Sequence, residues 1–246
     1  MDSSSSISSA VPGWRLDEVA SAGRENLDAD HVARYDSKED AGAAGEVELL
    51  KPLGLTSSSV VVEFGVGTGQ FTLAVAPWCG RVIAVDVSPP MLSRLQAKVD
   101  AGNLGNVKVV QSGFVSYEHT GDPADVVYSR FALHHLPDFW KGIALARMRR
   151  LLRPGGVLRL WDVVYNFEPQ DAEARIEAWC ATGRDTAAFE PLDDGWGRWE
   201  LEEHVRDEHS TYAWVLEAMF ERTGFAVEQA EYSDDAIFAK YVLRCI

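Results

Sequence analysis

Five short apolar runs recur along this chain, at residues 60–64, 81–85, 107–111, 125–129 and 157–161. Helical spacing occupies the intervals between them, from about Gln70, from Pro89 to about Ala101, and from about Asp138 to Leu152, where "RPGG" stops the helix. This alternation through short glycine-containing joins constrains the fold more than any other feature, because it predicts parallel βαβ units with right-handed crossovers. Two further runs, 225–230 and 237–244, leave no room for a crossover helix and are predicted to pair antiparallel. The expected fold class is α/β: a doubly wound seven-stranded sheet, mostly parallel, with an antiparallel C-terminal edge hairpin.

The 246 residues, 46% hydrophobic and 25% charged, suffice for the core of one large domain. Residues 1–25 open on "MDSSSSISSA" and read as a disordered serine-rich leader without the basic and apolar parts of a targeting peptide. Residues 26–246 are expected to form a single domain. Its helical N-terminal segment has Asp30 as a possible cap and Val47, Leu50 and Leu53 at helical spacing before Gly54. Between about 163 and 210 the rhythm breaks. A helix with Ile176, Trp179 and Cys180 on one face precedes the Gly- and Trp-rich "FEPLDDGWGRWELEEHV", which together read as a helical cap insertion. Ser210 is then expected to cap a helix carrying Trp214, Val215, Ala218 and Met219.

A formal net charge of −15 repels phosphates, which argues against nucleic-acid or anionic-membrane partners and favours a small or cationic substrate. Arg147, Arg149, Arg150, Arg153 and Arg159 form the one local basic cluster and read as the solvated end of a helix. Cys79, Cys180 and Cys245, odd in number and in no CxxC spacing, indicate neither a disulfide framework nor a cysteine zinc site, so a reducing cytoplasm is expected. No apolar stretch approaches the roughly 18 residues of a membrane span.

The first run continues as "VVVEFGVGTGQF", placing Gly65, Gly67 and Gly69 where open α/β sheets bind ligands, with no side chains to hold a ligand off the backbone. A Walker loop needs Gly-Lys-Ser/Thr, and here Gly69, Gln70 and Phe71 stand instead. The dinucleotide fingerprint GxGxxG is also missed, with Gln70 in its last slot. Glu63, two residues before the first glycine, would repel a pyrophosphate but attract a cationic amino acid part. S-adenosylmethionine has no phosphate and carries an ammonium and a sulfonium, so the pattern prefers it. Asp86 follows about 20 residues after the loop, where an acid accepts hydrogen bonds from ribose hydroxyls. A turn aspartate capping the helix at residues 88–90 is the alternative.

These stretches resemble the class I S-adenosylmethionine-dependent methyltransferases. "VVEFGVGTG" resembles their first motif, "VIAVDVSPPML" the second-strand acid motif, "DVVYSRFALHHLPD" the fourth-strand segment and "LLRPGGVL" the approach to the fifth strand. The likeness covers about residues 47–246 as a fold and is tightest over 60–162; "LHHLPD" and "LRPGG" are most similar to small-molecule enzymes of the ubiquinone/menaquinone-biosynthesis type. It implies a Rossmann-like sheet, S-adenosyl-L-methionine as cofactor and S-adenosyl-L-homocysteine as product. It further implies that Glu63 and Gly65 hold the amino acid part, that Gly67 and Gly69 line its passage, and that Asp86 takes the ribose. Val87 would pack on the adenine with Met91 nearby, Ser112, Gly113 and Phe114 would edge the base, and Ser129 would face the methionine portion. Relatives often carry an Asp where this chain has Phe114, which leaves adenine recognition there to backbone, Ser112 or stacking.

Methyl transfer from a sulfonium is an in-line displacement whose main demand is alignment. A base is required only for a hydroxyl, an acidic carbon or a protonated amine. His134 and His135 lie at the correct rim, and His134 is the candidate base; loop and helix packing is the alternative for both. His31 and Tyr35 read as part of an N-terminal lid, or as an exposed residue and a packed aromatic. His204 and His209 either touch substrate or form a polar helix face. Asp193 and Asp194 have no third ligand at recognisable spacing and read as a turn before Gly195, so no metal is expected. Trp179, Trp196, Trp199 and Trp214 suit a hydrophobic or aromatic acceptor, and the candidate substrate residues are Tyr35, Trp179, Trp196 and His209. The expected protein is a cytoplasmic monomer or homodimer that methylates a small, hydrophobic or aromatic metabolite, with no nucleic-acid or membrane partner. The alternatives are a catalytically silent S-adenosylmethionine-binding partner or regulator, and an RNA or protein methyltransferase. Net charge disfavours the latter, as does "SRFALHH" where an Asn/Asp-Pro-Pro-Tyr/Phe signature would stand.

Overall fold

β1 (Val60–Phe64) lies between β2 (Arg81–Asp86) and β4 (Ala124–Arg130), parallel to both, in the computed structural model of the chain. The structure describes residues 12–23, 26–28, 32, 42–185 and 195–246. β3 (Val107–Gln111) extends the sheet beyond β2, and β5 (Leu152–Tyr165) extends it beyond β4, again in parallel. β6 (Thr211–Tyr212) pairs with the end of β5, while β7 (Phe225–Tyr232) and β8 (Phe238–Cys245) close the other edge antiparallel. The order β3-β2-β1-β4-β5-β8-β7 reverses direction between β1 and β4, which opens a crevice at their C-terminal ends.

The helices are α1 (Ala43–Leu50), α2 (Gln70–Val75), α3 (Pro89–Ala101), α4 (Asp138–Leu151), α5 (Ala172–Cys180), α6 (Arg198–Asp207) and α7 (Ala213–Arg222). Strand side chains alternate between the two faces. Val61, Val126 and Val157 meet Val47 and Leu50 of α1 with Phe71 and Val75 of α2. Val62, Phe64, Val127 and Leu158 meet Leu145 and Met148 of α4 with Leu216 and Phe220 of α7. Burying each such side chain stabilises the fold by about 1.5–3 kcal/mol. α3 shows how local sequence sets an element: the Ser88 hydroxyl accepts the Met91 N–H at 3.2 Å, prolines open the first turn, and Met91, Leu92, Leu95 and Val99 form its buried stripe.

The doubly wound sheet and its antiparallel C-terminal strands are those expected, with three differences. β5 is 14 residues long rather than five, because Leu152 already pairs with Ala124 across a bulge and Val163 still pairs with Phe238. Ser210 does not cap a helix. Thr211 and Tyr212 are drawn into an eighth strand by the end of β5, α7 starts at Ala213, and the Ser210 hydroxyl lies 2.8 Å from His204 Nε2. Arg159 is not solvated, since it stands on a strand covered on both faces. Its guanidinium instead meets Glu46 of α1 in a buried bidentate pair, at 2.7 and 2.8 Å.

Of the expected leader, residues 12–23 are described and lie against the body. Trp14 stacks on Trp140 with centroids 6.2 Å apart, and Arg15 donates to the Val115 carbonyl at 2.5 Å. The cap helices α5 and α6 share a separate small core of Val163, Trp179, Cys180, Leu201 and Ile237.

Candidate functional site

A cleft of about 630 Å³, counting its open mouth, occupies the crevice. Its floor is the glycine loop. Gly65 has φ +69°, and a Cβ there would stand 2.2 Å from the Ala132 Cβ, so the loop after β1 can pass the loop after β4 only without a side chain. Asp86 ties this loop to the next one: the Gly67 N–H donates to its Oδ2 at 2.9 Å and the Ser88 N–H to its Oδ1 at 2.8 Å. Desolvation raises the Asp86 carboxyl above its ordinary range, and these backbone donors offset only part of that rise. The helix-capping role belongs to Ser88, which leaves Asp86 on the cleft wall.

Val87, Met91 and Phe114 supply the apolar flank, with Gly113 and Ser112 beside them. Phe114 stacks on Phe64 with centroids 5.1 Å apart, while the Ser112 N–H donates to the Asp86 carbonyl at 2.9 Å. A carboxylate does reach this end of the cleft, from far away in sequence. Glu18 accepts the N–H groups of Val115 at 2.8 Å and Ser116 at 2.9 Å, and a Cβ on Gly113 would meet its Oε1 at 2.3 Å. Glu18, Ala22 and Asn26 all line the cleft, although no spacing in "WRLDEVASAGREN" marks them.

Glu63, Gly69 and Ser129 are not on the cleft wall. Glu63 is buried on the α2 side, where Thr72 donates its hydroxyl to it, and burial drives its carboxyl up to about 8. Gly69 is the N-cap of α2 at φ +88°, and Ser129 is fully buried within β4 with no partner for its hydroxyl. His31, Tyr35, Asp193 and Asp194 lie outside the described residues. Trp179 is buried in the cap core, edge-on to His204 at 5.4 Å, and Trp196 packs on the same cluster. Trp214 stands apart, 62% exposed, so the four tryptophans do not form one pocket. His209 is exposed; its N–H donates to the His134 carbonyl at 2.9 Å and its own carbonyl accepts from Lys141.

On the opposite wall, Phe131 follows β4 with φ +48°, a strained conformation for an aromatic residue, and its ring lies 5.3 Å from Trp161 and 5.7 Å from Phe238. The turn Leu133–His135 comes next. His135 lines the cleft, whereas His134 sits behind it with both ring nitrogens engaged: Nδ1 with Asp162, and Nε2 at 3.0 Å from Glu208. Burial alone would make His134 less basic, but Asp162 and Glu208 outweigh it and hold the ring near 10. His135, buried beside that charge, is pushed down to about 3. Both histidines were expected at the rim with His134 as the candidate base, and the geometry brings only His135 to the wall.

Residues 61–156 match the model of the methyltransferase domain family. An uncharacterized methyltransferase of Geobacillus thermodenitrificans is 30% identical over 204 residues, covering 81% of this chain and 84% of that one. The chain belongs to the class I S-adenosylmethionine-dependent methyltransferases. A second uncharacterized methyltransferase, from Geobacillus kaustophilus, is 27% identical over 81% of this chain and 84% of its own. The crystal structure of the N-methyltransferase NodS from Bradyrhizobium japonicum, solved with S-adenosylhomocysteine, shares the fold at a TM-score of 0.60 and 18% identity, covering 93% and 98% of the two chains.

The methyltransferase's cofactor is therefore S-adenosylmethionine, and the cleft fits it. Its glycine floor admits close approach, its one acid of the second strand faces inward, and its flank at Val87, Met91 and Phe114 is apolar as a base requires. Among the described residues, no helix of this methyltransferase is long and apolar enough to cross a membrane.

Proposed function

We propose that this methyltransferase acts on a small acceptor with apolar or aromatic surface, seated where the donor cleft meets the wall formed by Phe131 and the cap. The observation that carries this reading is closure. Glu18, Ala22 and Asn26 line the cleft on one side, and Phe131, whose ring packs against Trp161 and Phe238, lines it on the other.

Bound S-adenosylmethionine supplies a methyl group already activated by its sulfonium. The chain's own contribution is then alignment and exclusion of water. Asp86 accepts hydrogen bonds from the ribose hydroxyls, Gly65 and Gly67 bring backbone against the amino acid part, and Val87, Met91 and Phe114 hold the adenine. Glu63 acts from behind the loop, where its bond to Thr72 fixes the start of α2. The net charge of −15 supports a small acceptor over RNA.

Incubation of the full-length protein with labelled S-adenosylmethionine and a panel of apolar and aromatic metabolites, polar amines, RNA and protein, read by mass spectrometry, tests this. The expected result is methyl incorporation into an apolar or aromatic member. Incorporation confined to RNA, protein or polar amines contradicts the reading.

A further inference from the structure

Beside the cleft, His134 and His135 from the turn after β4 meet Glu208, which directly follows α6. Glu208 Oε2 stands 3.0 Å from His134 Nε2, and Oε1 stands 4.0 Å from His135 Nδ1. One ligand-type atom from each of the three lies within 4.8 Å of the other two. We propose that His134 Nε2, His135 Nδ1 and the Glu208 carboxylate bind one divalent transition-metal cation at the cleft wall.

Ligand type, spacing and surroundings each support the site. Two imidazoles and one carboxylate form the facial set that holds Fe²⁺, Zn²⁺ or Mn²⁺ while leaving coordination positions open. Ligand atoms at about 2.0–2.2 Å from an ion stand about 3–3.5 Å from each other, and small rotations bring these three to that distance. The group behind each ligand is also in place. Asp162 takes the Nδ1 side of His134 and accepts the backbone N–H groups of His134 at 3.2 Å and Val163 at 2.8 Å, which turns the Nε2 of that ring toward Glu208. His204 braces the carboxylate, with Nδ1 2.5 Å from Glu208 Oε2 and Nε2 on the Ser210 hydroxyl.

One atom at the centre of the cluster is left over in the protein alone: His135 Nδ1 is shielded from solvent and has no hydrogen-bond partner, with Glu208 Oε1 4.0 Å away. The sequence does not mark the site as a metal centre, since Glu208 is distant along the chain from the histidine pair.

Of the three ligands only His135 lines the donor cleft, so the ion would stand in the cleft wall behind that ring.

The test uses the full-length protein, stripped with chelator and titrated with Co²⁺, read by visible absorption and calorimetry, with S-adenosylhomocysteine binding measured on the same samples. One Co²⁺ per chain is expected, without sulfur-to-cobalt charge transfer because the buried Cys79, Cys180 and Cys245 take no part. His135→Ala and Glu208→Gln are each expected to weaken binding at least about tenfold, and the remote His119→Ala to leave it unchanged. Wild-type protein that binds S-adenosylhomocysteine but no Co²⁺ overturns the metal site and leaves an imidazolium–carboxylate pair. Co²⁺ binding that survives both variants also overturns it. If a variant fails to fold, the wild-type stoichiometry and spectrum still decide. Failure of S-adenosylhomocysteine to bind overturns the donor reading instead.

Discussion

The half of the molecule that we assign to the methyl donor and the half that we assign to the acceptor are built on different principles. The donor half, residues 60–162, is backbone chemistry: glycines at positive φ, two N–H groups on Asp86, and strands buried on both faces. The acceptor side is side-chain chemistry, in which Phe131 and His135 of the turn after β4 meet Trp179 and Glu208 from two other segments. Backbone requirements leave a signature in local spacing because only particular residues satisfy them. Side-chain convergence leaves none, since any segment can supply a carboxylate or a ring.

Substitutions separate the halves by their effect on donor affinity. Gly65→Val has the largest. It forces a β-branched residue into φ +69° and drives a Cβ into Ala132, a combined strain of about 2–5 kcal/mol. Calorimetry with S-adenosylhomocysteine is expected to show a loss of about a hundredfold or more. Asp86→Ala comes next, removing the acceptor for the ribose hydroxyls and leaving the Gly67 and Ser88 N–H groups without it, for a loss of about 1.5–3 kcal/mol. An unchanged affinity in either variant would move the donor out of this cleft.

Glu63 gives a smaller, pH-dependent effect. Its folded carboxyl lies near 8 against an ordinary 4.5, so the folded state keeps a proton that the unfolded chain releases. The stability this contributes is full below about 4.5 and is lost as pH rises through about 8. Asp86, raised in the same direction, adds to the fall. Urea midpoints of the wild type are expected to drop across this window, and those of Glu63→Gln to drop less; parallel curves would show that Glu63 is ionised when folded. Trp179→Ala should affect donor affinity least, by less than about twofold, while destabilising the cap by roughly 3 kcal/mol and lowering acceptor turnover. A large change in donor affinity would mean that the two halves are coupled.

Much of the donor half was legible. The strands at 60–64 and 107–111 and the helix at 89–101 have the expected bounds, because apolar runs, a serine cap and proline openings act locally. Gly65, Gly67 and Asp86 converge as their spacing in "VVVEFGVGTGQF" and "RVIAVD" requires. What was not legible depends on distant partners. Arg159 looked solvated until Glu46 was found against it, Ser210 looked like a helix cap until β5 drew its neighbours into a strand, and Glu18 lay in a stretch that composition marks as leader. Phe114 shows the limit within the legible half: its departure from the acid of relatives was visible, but its stacking on Phe64 and the arrival of Glu18 beside it were not.

We place the methyl donor in the glycine-floored cleft between β1, β2 and β4. The most direct test is a calorimetric titration of the full-length protein with S-adenosylhomocysteine, run beside Gly65→Val. One saturable site per chain in the wild type, lost in the variant, is the expected result. A folded wild type that binds no S-adenosylhomocysteine would contradict the account.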